Sequence, residues 1–270
     1  MSPTNQTHLW EHTWQEIDKL DRDHTLILIP TGAIEQHGPH LPLDTDIFNA
    51  TAISESVASN FLHSENKVLV APPIWWGTSP HHLGFPGTIS LRNETLSNIV
   101  IEVITSLLPH GFYRYLLING HGGNAGILTA TVSRISHDLG ISVPALSYWT
   151  MIKETLHEIG ESPIGGMGHG CEMETSLMLH LRPELVRMDL AEKEMPNELT
   201  NWSCIDFRAG GPVGIPLDFR RDSKNGVMGD PTLANASKGE RIFNDAIQAI
   251  SAFVEEFMAL DKNILVLRKN

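Results

Sequence analysis

Short unbroken apolar runs alternate with longer stripes of helical period along the chain. Thr25-Leu26-Ile27-Leu28-Ile29, Lys67-Val68-Leu69-Val70-Ala71, Tyr113-Arg114-Tyr115-Leu116-Leu117-Ile118 and Ile141-Ser142-Val143-Pro144-Ala145-Leu146-Ser147 have strand length and are rich in Ile, Leu and Val, as strands buried on both faces require. Between them, residues 46–61 predict a helix with Asp44 or Thr45 as cap. Residues 93–109 carry Leu96, Ile99, Val100, Val103, Ile104, Leu107 and Leu108 at i, i+3, i+4 spacing, with Gly111 as the stop. Further helices are expected up to about 137, after Tyr148-Trp149, over about 171–181, and over about 231–259. The last would bury Ile242, Ala246, Ile250, Phe253 and Phe257. A polar lead-in, residues 1–24, holds a short amphipathic helix around Trp14, Ile17 and Leu20. Strands alternating with helices predict one α/β domain over 1–270, a sandwich whose mostly parallel central sheet is covered by helices on both faces. Three stretches fall outside the pattern. Residues 75–88 mix aromatics, His81 and His82 with glycine and read as a loop lining a pocket. Residues 161–170 are glycine-rich, and 195–230 is a long Pro- and Gly-containing segment read as a functional loop or an oligomer contact.

Composition narrows the class. With 41% apolar and 19% charged residues the chain is globular, and its apolar runs are too short to cross a membrane. The polar start Met1-Ser2-Pro3-Thr4-Asn5-Gln6 lacks the order of a signal peptide, and two cysteines fit a reducing compartment, so a cytoplasmic protein is expected. A net charge of −13 with scattered basic residues argues against a nucleic-acid partner.

The candidate chemistry follows the strands. After the first strand come Glu35, His37, His40, Asp44 and Asp46 among Gly and Pro; in extended backbone Glu35 and His37 leave on one face. Carboxylate with imidazole is a donor set that zinc, manganese or iron accepts. After the third strand, Asn119-Gly120-His121-Gly122-Gly123-Asn124-Ala125 fits a loose dinucleotide fingerprint. The following strand ends in Ser147-Tyr148-Trp149, without an acid for a ribose, so these glycines read instead as a tight turn aiming His121 at a metal. Ligands bind outside the carboxyl ends of parallel strands, which draws these clusters into one site. On the helix after Gly168-His169-Gly170-Cys171-Glu172-Met173-Glu174, Glu174 shares a face with Leu177, Met178 and Leu181. A carboxylate on that buried face needs a cation or a donor. His169, in glycine-rich backbone expected to move freely, reads as a proton shuttle that Glu172 would orient.

Together Glu35-x-His37-Gly38-Pro39-His40-Leu41-Pro42, Asp46, Phe85-Pro86-Gly87-Thr88, Asn119-Gly120-His121 and His169 with Glu174-Thr175-Ser176 resemble the creatininase (creatinine amidohydrolase) family over about residues 25–185. The resemblance implies a dinuclear metal hydrolase of small molecules, often hexameric. One ion would be held by Glu35, Asp46 and His121, the other by His37 and Asp46. His169 matches the family's catalytic histidine, and Trp149 an aromatic closing over substrate; His82, in the loop read as lining a pocket, is a further candidate substrate contact. Two positions depart from creatininase proper: Gly123 stands where it has a glutamate, and Gly165 where it has a second substrate-facing tryptophan. Glu174 is the candidate to replace the first, and the second argues against creatinine itself. The expected activity is hydrolysis of a C–N bond in a small cyclic or formylated amide. Cleavage of a C–C or C–O bond in a cyclic sugar-like compound, or metal-stabilised binding without catalysis, are the alternatives.

Overall fold

In the computed structural model, which describes residues 6–197 and 200–267, four strands form one parallel sheet: β1 (Thr25–Thr31), β2 (Lys67–Val70), β3 (Tyr115–Asn119) and β4 (Ala145–Ser147), in the order β2-β1-β3-β4. Residues 1–5 of the polar lead-in, and 198 and 199 within the 195–230 stretch, lie outside the described residues. Every residue of β1 and β3 is buried, as their unbroken apolar runs require.

The helices follow the predicted alternation: α1 (Trp14–Asp18), α2 (Thr45–Asn60), α3 (Asn93–Leu107), α4 (Ala125–Leu139), α5 (Lys153–Ile159), α6 (Glu172–Leu181), a single turn α7 (Phe219–Asp222) and α8 (Ala236–Met258). The chain leaves β1 toward β2 on one side and then crosses to β3 on the other. Right-handed crossovers therefore send α2 to one face of the sheet, and α3 and α4 to the opposite face. The packing agrees: α3 lies on α4, while α2, α6 and α8 pack on one another. The reversal of direction between β1 and β3 opens a crevice at their carboxyl ends, where parallel sheets bind ligands.

Several boundaries differ from the pattern for local reasons. β4 begins at Ala145, because Pro144 has no N–H for the ladder and Ile141 instead bridges Val266. α8 starts at Ala236, since Asp230 caps a separate turn at Pro231–Leu233 and the Asn235 side chain accepts the Lys238 N–H. Val254 rather than Phe253 completes its buried stripe. Trp14 in α1 is exposed. The glycine-rich stretch 161–170 contains an unexpected strand, β5 (Met167–His169), paired antiparallel with β6 (Met228–Gly229). Among the described residues no helix is long and apolar enough to cross a membrane.

Candidate metal centre

The turns after β1 and β3 press directly on the first turn of α2. A Cβ on Gly120 would lie 2.2 Å from the Asp46 carbonyl oxygen, so a glycine is needed for the contact that brings Asp46 beside His121. This is what the glycines of the false dinucleotide fingerprint do.

Glu35, His37, Asp46, His121, His169 and Glu174 are all buried at this crevice. Asp46 stands between two imidazoles, with Oδ1 3.0 Å from His37 Nε2 and Oδ2 3.0 Å from His121 Nδ1. Glu35 Oε1 is 3.3 Å from His121 Nδ1, and Glu174 Oε1 is 3.8 Å from His37 Nε2. The far ring nitrogens are tied to backbone. His37 Nδ1 lies 3.1 Å from the Glu35 carbonyl and His121 Nε2 3.1 Å from that of Thr78. A carbonyl oxygen only accepts, so those nitrogens carry the protons, and the atoms facing the carboxylates are the ones able to ligate.

Electrostatics at this cluster favour a cation. Burial opposes charge on His37, but Asp46, Glu174 and Glu35 outweigh it and raise its pKa to about 10. His121 is likewise raised by Glu35 and Asp46 against its burial. Burial pushes the Glu174 carboxyl up. Among the described residues Glu35 Oε2 has no hydrogen-bond partner, and Glu35 Oε1 and Asp46 Oδ2 are met only by imidazole nitrogens, of His82 and His121, outside good hydrogen-bond geometry. Buried oxygens of this kind are costly unless something positive meets them. Three groups have ligand atoms lying mutually within 4.8 Å: Glu35 with His81 and His121, Glu35 with His37 and His169, and His37 with Asp46 and Glu174. The mixed oxygen and imidazole donors fit zinc, manganese or iron.

Two readings from the sequence need correction. His169 is not free to move: it sits in β5, and its Nε2 donates to the Gln36 carbonyl at 2.6 Å. The glycines around it serve close packing, since a Cβ on Gly168 would lie 2.8 Å from the Met228 carbonyl oxygen. Burial first, then the charge on His37, lowers the His169 pKa to about 3, so its Nδ1 faces the centre unprotonated. Glu172 does not orient His169. Its carboxylate accepts hydrogen bonds from Lys238 Nζ and from the backbone of Glu161 and Ser162, which ties α6 to α8 and to the loop before β5.

Three residues of the site were missed. The Gln36 amide accepts from Gly38 N–H and donates to the Gly226 carbonyl, which fixes its orientation. Its NH₂ then donates to His82 Nδ1 at 2.8 Å, leaving the His82 Nε2–H toward Glu35, 3.3 Å away. Phe219 packs on His82, tilted by 34° with ring centroids 3.9 Å apart, and meets His169 edge-on at 4.8 Å. His81 reaches Glu35 and His121. Only the paired histidines announced any of these in the sequence.

The centre floors a cavity of about 730 Å³, walled by His82, Trp149, Lys153, Ile205, Phe207, Ile215, Leu217 and Phe219. Much of the 195–230 stretch is thus its wall. Trp149 packs on Phe207 with centroids 4.9 Å apart. Gly165 lies outside this cavity, at a φ of +92° and against Met195 and Pro196.

A parallel α/β sheet with a carboxylate–imidazole centre at its switch point is the architecture of a metal-binding site open to a ligand. A family model for creatininase, described as creatinine amidohydrolase, matches residues 10–254. The mycofactocin precursor peptide peptidase of Mycobacterium tuberculosis is 35% identical over 85% of this chain and 86% of its own. The creatinine amidohydrolase of Pseudomonas putida is 31% identical over 92% and 96%. A 3-dehydro-scyllo-inosose hydrolase of Thermotoga maritima is 29% identical over 91% and 80%. Among solved structures, a creatininase mutant of Zn-Zn type superposes with a TM-score of 0.81 at 28% identity, covering 95% of this chain and all of its own. A creatininase described as Mn superposes with a TM-score of 0.80 at 29% identity, over 94% of this chain and 100% of that one. The chain belongs to the creatininase family. It is a metal-dependent amidohydrolase of that family.

Proposed function

We propose that the chain hydrolyses the C–N bond of a small cyclic or formylated amide, with Glu35, His37, Asp46, His121 and Glu174 holding two divalent ions at the cavity floor. The observation that carries this reading is the set of buried oxygens on Glu35 and Asp46 that only imidazoles meet, beside an unprotonated His169 Nδ1. Asp46 offers one oxygen toward His37 and the other toward His121, so this one carboxylate would help hold both ions. Bound there, the ions would polarise an amide carbonyl and bring the pKa of a water molecule toward neutrality.

His169 handles the proton. With Nε2–H committed to the Gln36 carbonyl, Nδ1, 3.7 Å from Glu35 Oε1, takes a proton from water and returns it to the departing nitrogen. An amine anion leaves poorly near neutral pH, so that delivery is required. Trp149, Phe207 and Phe219 give the substrate an apolar wall that excludes water. Glu172 serves as an anchor between elements and takes no part in the transfer.

A second reading, cleavage of a peptide amide, is favoured by the cavity volume of about 730 Å³, which exceeds what a single small heterocycle fills, and by the peptidase among the relatives. The sugar-like alternative is favoured by the inosose hydrolase among the relatives and by Thr150, Lys153 and Asp218, polar side chains that line the cavity beside its apolar wall. Homo-oligomeric assembly, measurable by sedimentation, belongs to the same reading.

The test is turnover of cyclic amides, N-formyl amides, short peptides and lactones, with metal content measured on the same preparation. Cyclic or formylated amide turnover that stops on chelation and returns with zinc or manganese supports the proposal. Turnover confined to peptides transfers support to the second reading, and turnover of lactones alone removes both. Creatinine should be a poor substrate, because Gly165 contributes no aromatic to this cavity. Efficient, saturable creatinine hydrolysis would contradict that.

A further inference from the structure

We infer that His81 is a metal ligand, completing with Glu35 and His121 the ion site on the β3 side of the centre. The inference rests on the reading of the centre as a metal site. Glu35, His81 and His121 each offer an atom within 4.8 Å of the others. His81 belongs to the short turn Pro80–His82, whose backbone is closed by the His82 N–H donating to the Ser79 carbonyl and the Leu83 N–H to that of Pro80. Its ring lies nearly parallel to that of His121, tilted by 10° with centroids 5.8 Å apart. Among the described residues no side-chain hydrogen bond holds either His81 nitrogen, although the half-buried ring lines the cavity beside Glu35, whose Oε2 has no partner and whose Oε1 is met only by imidazoles. An imidazole not held by the protein thus borders an under-satisfied buried carboxylate, and a shared cation satisfies both.

Gly123 leaves the space beside this turn free for the His81 ring. A Cβ there would lie 2.4 Å from His121 Nε2, 2.5 Å from the Thr78 carbonyl oxygen and 3.0 Å from His81 Cε1. No side chain can leave position 123 toward the ion without displacing the His121 ring or the backbone at Thr78. His81 already borders that space. A second neutral imidazole beside His121 makes the donor set at this site softer. Zinc or iron should therefore be preferred over manganese at this site.

The decisive experiment swaps the ligand in the full-length protein. In His81→Cys loaded with cobalt(II), a thiolate-to-cobalt charge-transfer absorption should appear that the wild type, despite Cys171 and Cys204, lacks. In His81→Ala, chelator competition should show one of the two zinc ions lost or weakened well beyond the roughly 10–100-fold typical of an outer-shell partner, the other unchanged. Apo-protein circular dichroism should match the wild type. A wild type binding two zinc ions, together with a cobalt-loaded His81→Cys lacking the band, would overturn the His81 assignment alone. A wild type that binds no divalent ion tightly would instead remove the metal reading itself. If His81→Ala does not fold, the cobalt spectrum of His81→Cys still decides. If neither variant folds, the ring-nitrogen resonances of His81 in the ¹⁵N-histidine-labelled wild type decide, because a ligating nitrogen takes the shift of a metal-bound imidazole on zinc addition, whereas a merely neighbouring ring keeps the two-nitrogen pattern of a free imidazole.

Discussion

On the sheet side of the cavity, Glu35, Asp46 and His121 hang from the ends of β1 and β3 and the first turn of α2, in backbone that is buried and laddered. On the loop side, Ile205, Phe207, Ile215, Leu217 and Phe219 come from a stretch with little regular structure. The loop side is nonetheless fastened. Asp206 and Arg208 form a two-pronged pair, at 2.9 and 2.8 Å, that also grips the backbone of Ser162, Pro163, Gly165 and Met167. Glu194 accepts from Ser223, Lys224 and Asn225. The sheet supplies charged donors in fixed register, and the loop supplies an apolar wall held by a few polar rivets. Chemistry should therefore reside on the first side and substrate choice on the second.

The largest effect that could break this division is Asp46→Ala. Both ions should be lost, because one carboxylate faces both imidazoles, and turnover should vanish with them. Full metal occupancy by elemental analysis would show that the sheet side is not the holder. Next comes His169→Ala, expected to keep its metal and lose turnover by ~10²–10⁴-fold, with a smaller loss on an activated ester that needs no proton on its leaving group. Metal loss with equal damage to every substrate would instead make His169 a ligand, through its grouping with Glu35 and His37.

Phe207→Ala tests the loop side. It should raise KM about tenfold and leave metal content and kcat near the wild type, in keeping with the loss of one apolar contact. A fall in kcat comparable to that of His169→Ala would erase the distinction between the two sides. The smallest effect concerns the rivet. Burial raises the Asp206 carboxyl, but hydrogen bonds from Arg208 and the Gly165 backbone outweigh this and hold it below its ordinary 3.8. A depressed carboxyl contributes stability above its unfolded-state value and loses it as pH falls through the folded one. Thermal unfolding should thus show extra acid destabilisation below about pH 4 in the wild type that Asp206→Asn lacks. Identical acid limbs in both proteins would show that the pair does not fasten the loop.

How legible all this was in the sequence follows the same division. Apolar runs revealed the strands, and strand ends drew Glu35, His37, Asp46 and His121 to one crevice, because parallel topology fixes where such ends meet. The loop side was hidden because its anchors bond to backbone, which has no sequence signature. Glu172 shows the limit well: its partner Lys238 lies sixty-six residues away, so no local pattern points to it. Glycines around His169 suggested mobility, whereas here they permit close backbone contact, and composition does not separate those two uses. Gln36 went unnoticed for being neutral between two charged neighbours, although its amide sets the tautomer of His82.

Trp149 gives the cavity a built-in optical reporter. Of the six tryptophans, Trp10, Trp14, Trp75, Trp76 and Trp202 are 46–73% exposed, whereas Trp149 is 7% exposed and sits against Tyr148 and Phe207. A water-borne collisional quencher such as iodide should therefore silence the other five first and leave a residual, blue-shifted emission from the cavity wall. A molecule entering the cavity meets that one indole, so the quencher-resistant light should change in intensity or lifetime on binding. Unlabelled protein in a cuvette then becomes a ligand screen that requires neither turnover nor an identified substrate.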